Sequence, residues 1–231
     1  MLEMKKIRAI TMDLDDTLWP VWPVMTRAEN ALSNWLAAHA PQTAAMMLQA
    51  DRRLALRHQV QKNRPDIGLD LGTLRREMIR LALQLHAEDT ALVEPAYQVF
   101  IAERMRVDLF VEVRPALVWL AARYPLVAIS NGNADVHLVG IGEHFYTAFS
   151  AQEFGVGKPD PRIFHAAAAA VGVQAHEVLH VGDDAEMDVL GGLNAGMQTV
   201  WVNRVQREWV HEAQPHAKVR NLRQLCALLQ R

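Results

Sequence analysis

Three carboxylates fall within four residues near the start of the chain, at Asp13, Asp15 and Asp16, and Thr17 follows them directly. They come after residues 7–12, a mostly apolar run that is typical of a strand buried on both faces. In an open α/β sheet, the carboxyl end of such a strand borders the crevice that binds ligands. Carboxylates this close repel one another unless a cation or a protonated member relieves the charge. The pattern therefore predicts a divalent-metal site or an acid/base pair, and the simpler alternative is a solvated acidic turn.

Three further polar clusters lie at strand ends or in the loops between strands: Ser130 with Asn131, Lys158, and Asp183 with Asp184 and Asp188. Carboxylates from two strand ends can hold a hard cation such as Mg²⁺ through oxygen ligands. A serine and a lysine beside them could bind an anionic group. Anion, Mg²⁺ and a carboxylate nucleophile together indicate phosphoryl transfer, in which positioning and charge neutralisation supply most of the catalysis.

The elements that must position these groups alternate between strand and helix from residue 111 onward. The sequence predicts strands at 126–129, 148–150, 178–181 and 198–202, and helices at 115–124, 161–171, 187–195 and 221–230. This alternation favours an α/β fold with a doubly wound, Rossmann-like parallel sheet. Gly191 and Gly192 are expected to allow a helix to approach the sheet closely.

The stretch after the first strand has no strand pattern and is predicted to be an inserted, all-helical cap. Residues 19–23 contain two prolines and are expected to form a loop, and residues 26–29 have the spacing of a helix capping box. Helices are predicted from there to residue 40, and at 43–61, 73–85 and 91–105. The predicted domains are a core of residues 1–18 and 111–231 and a cap of residues 19–110.

Composition excludes several classes of function. The 24 lysines and arginines against 26 aspartates and glutamates give a net charge of −2, which offers no basic face for nucleic acid. No apolar run approaches the roughly 18 residues that a membrane span needs, and the first residues contain no signal-peptide pattern. The single cysteine, Cys226, is expected to be a small buried hydrophobe. We expect a cytoplasmic protein, monomer or homodimer, whose partner is a small molecule.

The four clusters resemble, in order and spacing, the motifs of the haloacid dehalogenase-like hydrolase superfamily, in the subgroup with a helical cap after the first strand. The stretch from Asp13 to Leu18 fits the first motif and Ser130 the second. Lys158-Pro159-Asp160 fits the third, and Gly182-Asp183-Asp184 with Asp188 fits the fourth. The resemblance covers essentially the whole chain, and it implies the Rossmann-like core with a cap.

The resemblance also implies a role for each matched residue. Asp13 would be the nucleophile that forms an aspartyl-phosphate, and Asp15 would be the general acid and then the general base. The phosphoryl group would be bound by Ser130, Asn131 and Lys158. The Mg²⁺ cofactor would be held by Asp13, by the Asp15 backbone carbonyl and by Asp183. Supporting roles would fall to Thr17, Asp184 and Asp188, and Asp16, where many relatives have glycine, receives no chemical role.

Several alternatives stay open at this point. A carbon–halogen cleaving relative would lack Asp15 and the acidic cluster at residues 183–184, so a phosphatase of small phosphomonoesters is favoured over a 2-haloacid dehalogenase. A sugar-phosphate mutase or phosphotransferase would use the same residues, whereas a receiver-type signalling module would be shorter and lack the insert. The runs at 130–133, 181–184 and 196–202 resemble bacterial phosphatases that act on flavin mononucleotide and riboflavin-pathway intermediates, and this substrate class is favoured. They also resemble nucleotide and sugar-phosphate phosphatases of the same subgroup. Specificity is expected to reside between Trp19 and Met105.

Two residue types outside the motifs also invite a functional interpretation. His180 lies within an apolar strand pattern, so we expect a core histidine with satisfied hydrogen bonds rather than a metal ligand. Trp19 and Trp22 could line a pocket for an aromatic leaving group, but packing of the loop is favoured.

Overall fold

The computed structural model describes residues 2–230; Met1 and Arg231, which the predicted core includes, lie outside the described residues. The chain divides into two compact units. One combines Met1–Pro20 with Asp108–Arg231, and the other is the insert Val21–Val107. The domain boundaries predicted from the sequence, with residues 19–110 as the cap, stay a prediction and differ from this division by a few residues.

The insert is built from helices, with no strand among its residues. Its helices are α1 (Val21–His39), α2 (Pro41–Met47), α3 (Ala50–Asn63), α4 (Leu71–Leu85) and α5 (Val93–Met105). They bury a core of their own, to which Leu32, Leu36, Ile79 and Leu83 contribute fully buried side chains. Helix α4 begins where the Asp70 carboxylate accepts the backbone N–H of Thr73, as an N-cap residue does.

The larger unit contains a sheet of six parallel strands, and the predicted doubly wound parallel sheet is confirmed. The strands are β1 (Ala9–Met12), β2 (Leu126–Ser130), β3 (Thr147–Ser150), β4 (Val178–Gly182), β5 (Gln198–Val202) and β6 (Ala217–Val219). Their order in space is β3-β2-β1-β4-β5-β6. The order reverses direction at the pair β1/β4, and in such sheets this switch point is where ligands bind.

Strand β1 is therefore central, and all four of its residues are buried. Its neighbours β2 and β4, and β5 beyond β4, are buried along their whole length as well, which explains their mostly apolar sequences. The helices of this unit are α6 (Val113–Ala121), α7 (Ala151–Phe154), α8 (Pro161–Ala170), α9 (Gly191–Asn194) and α10 (Leu222–Leu229). A π-helical segment, Ala185–Leu190, leads directly into α9.

Four sequence-based predictions need correction. Helix α1 begins at Val21, so residues 19–23 are not all loop: Pro23 falls in the first turn, where its missing N–H is not needed, and the supposed capping box lies inside the helix. The helix predicted at 43–61 is two helices, because the backbone of Gln49 is extended and Arg53 donates to the Met47 carbonyl at 2.5 Å. Strand β6 was not predicted; three residues give too little periodicity. Cys226 is partly exposed, not buried.

Among residues 2–230, no helix is both long and apolar enough to cross a membrane.

Candidate active site

The loops after β1, β2 and β4 meet at one end of the sheet around an open cleft of about 230 Å³. Because parallel strands place their carboxyl ends at the same edge, residues far apart in sequence converge there. Every residue that the sequence predicted for the site lines this cleft except Thr17, which is fully buried beside it. The predicted residues in the lining are Asp13, Asp15, Ser130, Asn131, Lys158, Asp183, Asp184 and Asp188.

The loop after β1 closes tightly on itself. Its backbone is held by Leu18 N–H donating to the Leu14 carbonyl at 2.8 Å and by Asp16 N–H donating to the Trp19 carbonyl at 2.7 Å. Asp16 has φ +56°, a left-handed conformation that glycine adopts most easily, and this agrees with the glycine that the resemblance implies for this position. The conformation of Asp16 therefore supports a backbone role for this residue.

Trp19 is fully buried, and its indole Nε1–H donates to Asp15 Oδ1 at 2.8 Å. Packing, rather than a pocket wall, is therefore the correct interpretation for Trp19. The packing expected of Trp22 is wrong, because this side chain lies on α1 and is 75% exposed. The sequence did not indicate the contact with Asp15. A tryptophan four residues after an acidic side chain was the available signal, and only the tight turn between them brings the two together.

A buried ion-pair cluster links the loop after β1 to the loop between α7 and α8 and to the helical segment that follows β4. The Lys158 ammonium donates to Asp13 Oδ1 and, at 2.6 Å, to Asp188 Oδ1. The side chain of Asp13 is 12% exposed, against 2% for Lys158 and 1% for Asp188. Of the two carboxylates bound to the lysine, Asp13 is thus the one that a molecule in the cleft can reach.

The carboxylates of this cluster differ in how well their negative charge is stabilised. Although burial opposes ionisation, Asp13 and Asp188 raise the pKa of Lys158, and Lys158 lowers the pKa of Asp188. Burial raises the pKa of Asp13 in spite of Lys158. Burial and the nearby Asp188 likewise raise the pKa of Asp183 to about 7. One ammonium therefore serves three carboxylates, and the site lacks positive charge.

The residues present fit a divalent cation. Oxygen atoms of Asp13, Asp183 and Asp188 lie within 4.8 Å of one another, and an all-carboxylate set suits a hard cation. Asp188 already accepts hydrogen bonds at both oxygens, from Lys158 at Oδ1 and from the Asp184 N–H at Oδ2. Asp13 and Asp183 are consequently the side chains most available as ligands. The Asp15 side chain is outside this group, so only its backbone carbonyl remains as the predicted ligand.

Asp183 is fixed from two sides. The Thr17 hydroxyl donates to Asp183 Oδ1 at 3.0 Å, and Trp201 Nε1–H donates to the Asp183 carbonyl at 2.8 Å. The hydrogen bond expected of Thr17 thus joins the loop after β1 to the loop after β4. Asp184 has a different role, because its carboxylate caps the following helical segment by accepting the N–H groups of Glu186 and Met187, both at 2.8 Å.

Ser130 and Asn131 are placed differently. Ser130 Oγ accepts the Gly132 N–H at 3.0 Å, so its hydroxyl proton remains available for an anion in the cleft. The Asn131 amide accepts from Lys158 N–H and donates to the Lys158 carbonyl, both at 2.8 Å. The Asn131 side chain therefore holds the backbone of the lysine, and a contact with phosphate would have to use the second amide hydrogen or the backbone N–H.

The strand-end residue Gly182 is required by the close approach of Asp188. A Cβ at position 182 would lie 2.2 Å from Asp188 Cγ, so no other residue fits without displacing that carboxylate. His180, expected to be a satisfied core histidine, is fully buried with partners at both ring nitrogens, and one of them is Asp188. Its spacing in the sequence gave no sign of this contact.

Comparison with known proteins agrees with this geometry. A family model described as haloacid dehalogenase-like hydrolase matches residues 7–196. The chain is 33% identical to 5-amino-6-(5-phospho-D-ribitylamino)uracil phosphatase YigB of Escherichia coli, over 97% of each protein. It is 35% identical to a phosphoserine phosphatase of Thermus thermophilus, over 67% of this chain and 64% of the relative. A crystal structure named 2-haloacid dehalogenase, from Pseudomonas syringae, is 35% identical, covers 97% of this chain and 98% of its own, and superposes with a TM-score of 0.91.

Proposed function

The chain belongs to the haloacid dehalogenase-like hydrolase family, and on that premise we propose that it is a Mg²⁺-dependent phosphatase that hydrolyses a small phosphomonoester through an aspartyl-phosphate on Asp13. The observation that carries this proposal is the ion-pair cluster, in which Lys158 binds both the accessible Asp13 and the buried Asp188. A nucleophile held beside a fixed ammonium is suited to attack a dianionic phosphoryl group. The phosphatase names of two relatives support the same chemistry.

The relative named 2-haloacid dehalogenase makes carbon–halogen cleavage the second candidate. A halide ion leaves without a proton, so that reaction needs no general acid, whereas an alkoxide leaving group does. In this chain Asp15 lines the cleft and is oriented by Trp19, and Asp183 adds the carboxylate that a cation requires. Both features are useful for phosphate esters and have no use in expelling halide, so we favour the phosphatase.

In the first step, a carboxylate oxygen of Asp13 attacks phosphorus while the bond from phosphorus to the ester oxygen breaks. Asp15 donates its proton to that leaving oxygen, which departs as an alcohol. Lys158 and the Ser130 hydroxyl bind the phosphoryl oxygens and stabilise the charge that gathers on them. Asp188 keeps the ammonium of Lys158 in place during this step.

In the second step, Asp15, now a carboxylate, removes a proton from a water molecule that attacks phosphorus. The bond from phosphorus to the Asp13 oxygen breaks, inorganic phosphate forms, and both aspartates return to their starting states. Mg²⁺, held by Asp13, Asp183 and the Asp15 carbonyl, would neutralise phosphoryl charge and reduce the repulsion between substrate and carboxylates.

For the substrate, we propose flavin mononucleotide or a phosphorylated intermediate of the riboflavin pathway. Support comes from the name of the relative that matches along nearly the whole chain. Phosphate esters of this kind have primary alkoxide leaving groups, which depart poorly without a proton, so an oriented Asp15 suits them. We propose a small-molecule partner and a cytoplasmic location, with no macromolecular partner required for the reaction.

Phosphate release from a panel of esters tests the proposal. The panel contains p-nitrophenyl phosphate, flavin mononucleotide, 5-amino-6-(5-phospho-D-ribitylamino)uracil and phosphoserine, each assayed with Mg²⁺ and with EDTA. We expect Mg²⁺-dependent release, fastest with one of the two ribityl phosphates, and loss of release in Asp13→Asn. Release of halide from 2-chloropropionate without phosphate release from any ester would overturn the proposal in favour of the dehalogenase, and phosphoryl transfer to a sugar in place of water would favour a mutase or phosphotransferase.

A further inference from the structure

His180 lies in the middle of β4, beneath the cleft, with no solvent exposure. It pairs in register with Thr11 on β1 and with Thr199 on β5, so the three side chains share one face of the sheet. The ring of Phe164 on α8 packs edge-on against the imidazole, with 4.9 Å between ring centroids. Because the imidazole has no access to solvent or to the cleft, it does not serve as a charged group or as a base toward water. Its effect must be transmitted through its two hydrogen bonds.

Each ring nitrogen has one partner. Nε2 lies 3.2 Å from Asp188 Oδ1, and Nδ1 lies 2.8 Å from Thr11 Oγ1. A carboxylate only accepts, so Nε2 carries the proton and donates to Asp188. The Thr11 hydroxyl then donates to Nδ1 of His180. The other acceptor near this hydroxyl, Met197 Sδ at 3.9 Å, is a weaker one. Burial lowers the pKa of His180, in keeping with one neutral tautomer.

The space around the imidazole is restricted, so its orientation is determined. A Cβ at Gly192 would lie 2.8 Å from Thr199 Cγ2 and 3.3 Å from His180 Cβ, so this glycine lets the helix approach the sheet as the sequence predicted. The ring is therefore held between the helix, Phe164 and Thr11. A rigid neutral donor at this place fixes Asp188 Oδ1 without adding a positive charge that would compete with Lys158.

We propose that His180 is a positioning residue for phosphoryl binding: with Thr11 it fixes Asp188, and Asp188 in turn fixes the Lys158 ammonium at Asp13. The inference rests on the proposed function for the identity of the bound group, although the hydrogen-bond chain itself is independent of it. Removal of the Nε2–H donor leaves Asp188 held by Lys158 and one backbone N–H alone. The ammonium then loses its fixed position, so both phosphate affinity and transition-state stabilisation fall.

Two substitutions separate this role from simple packing. His180→Leu fills a similar volume and has no donor, whereas His180→Gln keeps an amide N–H near the position of Nε2. We expect His180→Leu to lower kcat/KM for p-nitrophenyl phosphate by about 10- to 100-fold, the usual effect of losing a supporting partner at such a site. His180→Gln should recover most of that loss. His165→Leu, which removes another histidine whose Nε2 meets the Ala195 carbonyl, should leave kcat/KM unchanged.

Two further readouts do not depend on turnover. Calorimetric titration with inorganic phosphate in the presence of Mg²⁺ should give weaker binding in His180→Leu than in wild type and His180→Gln. Long-range ¹H–¹⁵N NMR of the wild-type enzyme should show His180 with its proton on Nε2. If the wild type hydrolyses no ester, the proposed function fails, while these two measurements still decide the positioning role.

The inference is overturned if His180→Leu binds phosphate and turns over ester as wild type does. It is equally overturned if His180→Gln is as impaired as His180→Leu while both unfold at the wild-type temperature, because the donor would then be irrelevant. If His180→Leu does not fold, the wild-type NMR spectrum decides. A proton on Nδ1 of His180 contradicts the proposed series of hydrogen bonds, and a proton on Nε2 supports it.

Discussion

At the scale of residues, the site contains pairs of side chains in which one faces the cleft and the other holds it or its partner in place. Asp13 and Asp188 bind the same ammonium, but only Asp13 is open to the cleft. Asp15 has a similar division with Trp19: in the proposed mechanism the carboxylate transfers the proton, and the indole N–H sets its orientation. A residue that never meets the substrate can therefore change the rate of reaction through its partner.

Trp19→Phe tests this dependence. The variant keeps an aromatic ring in the buried position but loses the donor to Asp15 Oδ1. We expect kcat for flavin mononucleotide to fall by about tenfold, part of the 10²- to 10⁴-fold that a positioned general acid supplies. The rate with p-nitrophenyl phosphate, whose leaving group needs little protonation, should fall much less. Trp119→Phe makes the same change on α6 and should alter neither rate, and equal losses for both esters in Trp19→Phe would contradict the role given to Asp15.

The shared location of motif residues such as Asp13 and Lys158 in one cleft was predictable, because their types and spacing suit the chemistry that the sequence indicates. The roles of Trp19 and His180 were not, since each depends on a distance across the fold: a turn that returns to Asp15, and a strand residue that reaches Asp188. Asn131 shows a further case: its contact with phosphate stays a prediction, and its two hydrogen bonds with the Lys158 backbone were not indicated by the sequence.

At the scale of elements, the loop after β4 carries two adjacent aspartates with different roles. Asp183 belongs to the cluster of carboxylates that it forms with Asp13 and Asp188, and Asp184 caps the helical segment that follows. Asp183→Asn should weaken Mg²⁺ binding severely. Asp184→Ala should lower the free energy of unfolding by about 1 kcal/mol, the usual effect of losing an N-cap, and weaken Mg²⁺ binding less. Calorimetric Mg²⁺ titration and urea unfolding of the two variants check this, and the reverse ranking of Mg²⁺ affinities would exchange the two assignments.

Gly182 at the end of β4 gives a second test at this scale. Because an added Cβ would overlap Asp188, Gly182→Ala should move that carboxylate away from Lys158. Overpacking of this kind lowers stability by about 1–3 kcal/mol. We expect kcat/KM to fall by more than the stability loss explains, measured at a temperature where the variant remains folded. Wild-type kcat/KM in Gly182→Ala would show that the position of Asp188 does not matter.

The insert has its own electrostatic contact, between Arg76 on α4 and Glu94 on α5. Arg76 Nε donates to Glu94 at 2.7 Å, and this bond, with one from Gln98, lowers the pKa of Glu94 to about 2. A lowered folded-state pKa contributes stability above the ordinary value near 4.5 that is lost as pH falls toward 2. Glu94→Gln should therefore cost about 0.5 kcal/mol at pH 7, as for other exposed pairs, and nothing near pH 2. Urea unfolding at the two pH values measures this, and an unchanged difference between them would show that the ion pair is not the cause.

Helix boundaries were the least predictable features of the elements. Pro23 was read as a barrier to helix formation, yet it lies in the first turn of α1, where proline is tolerated. The break between α2 and α3 falls at the extended backbone of Gln49, where Arg53 donates to the Met47 carbonyl, and residue patterns do not encode this contact. Strand β6 has only three residues and depends on pairing with β5.

At the scale of the whole molecule, the strand order explains why four separated sequence motifs form one site. Asp13 and Asp183 follow the two strands at the switch point, and Ser130 is the last residue of the neighbouring strand β2. The alternation of strands and helices was enough to predict the parallel sheet and the edge at which the carboxylates meet. It could not give the order of the strands, which decides that β1 and β4 are adjacent.

Acid quenching during turnover tests whether Asp13 becomes phosphorylated. The enzyme is mixed with Mg²⁺ and the best ester of the panel, quenched within the first turnovers, digested, and examined by mass spectrometry. We expect a phosphoryl group on the peptide that contains Asp13, and more of it in Asp15→Ala, which lacks the base for the second step. Release of phosphate at the full rate with no phosphoryl group on Asp13, or with the group on another residue, would contradict this expectation.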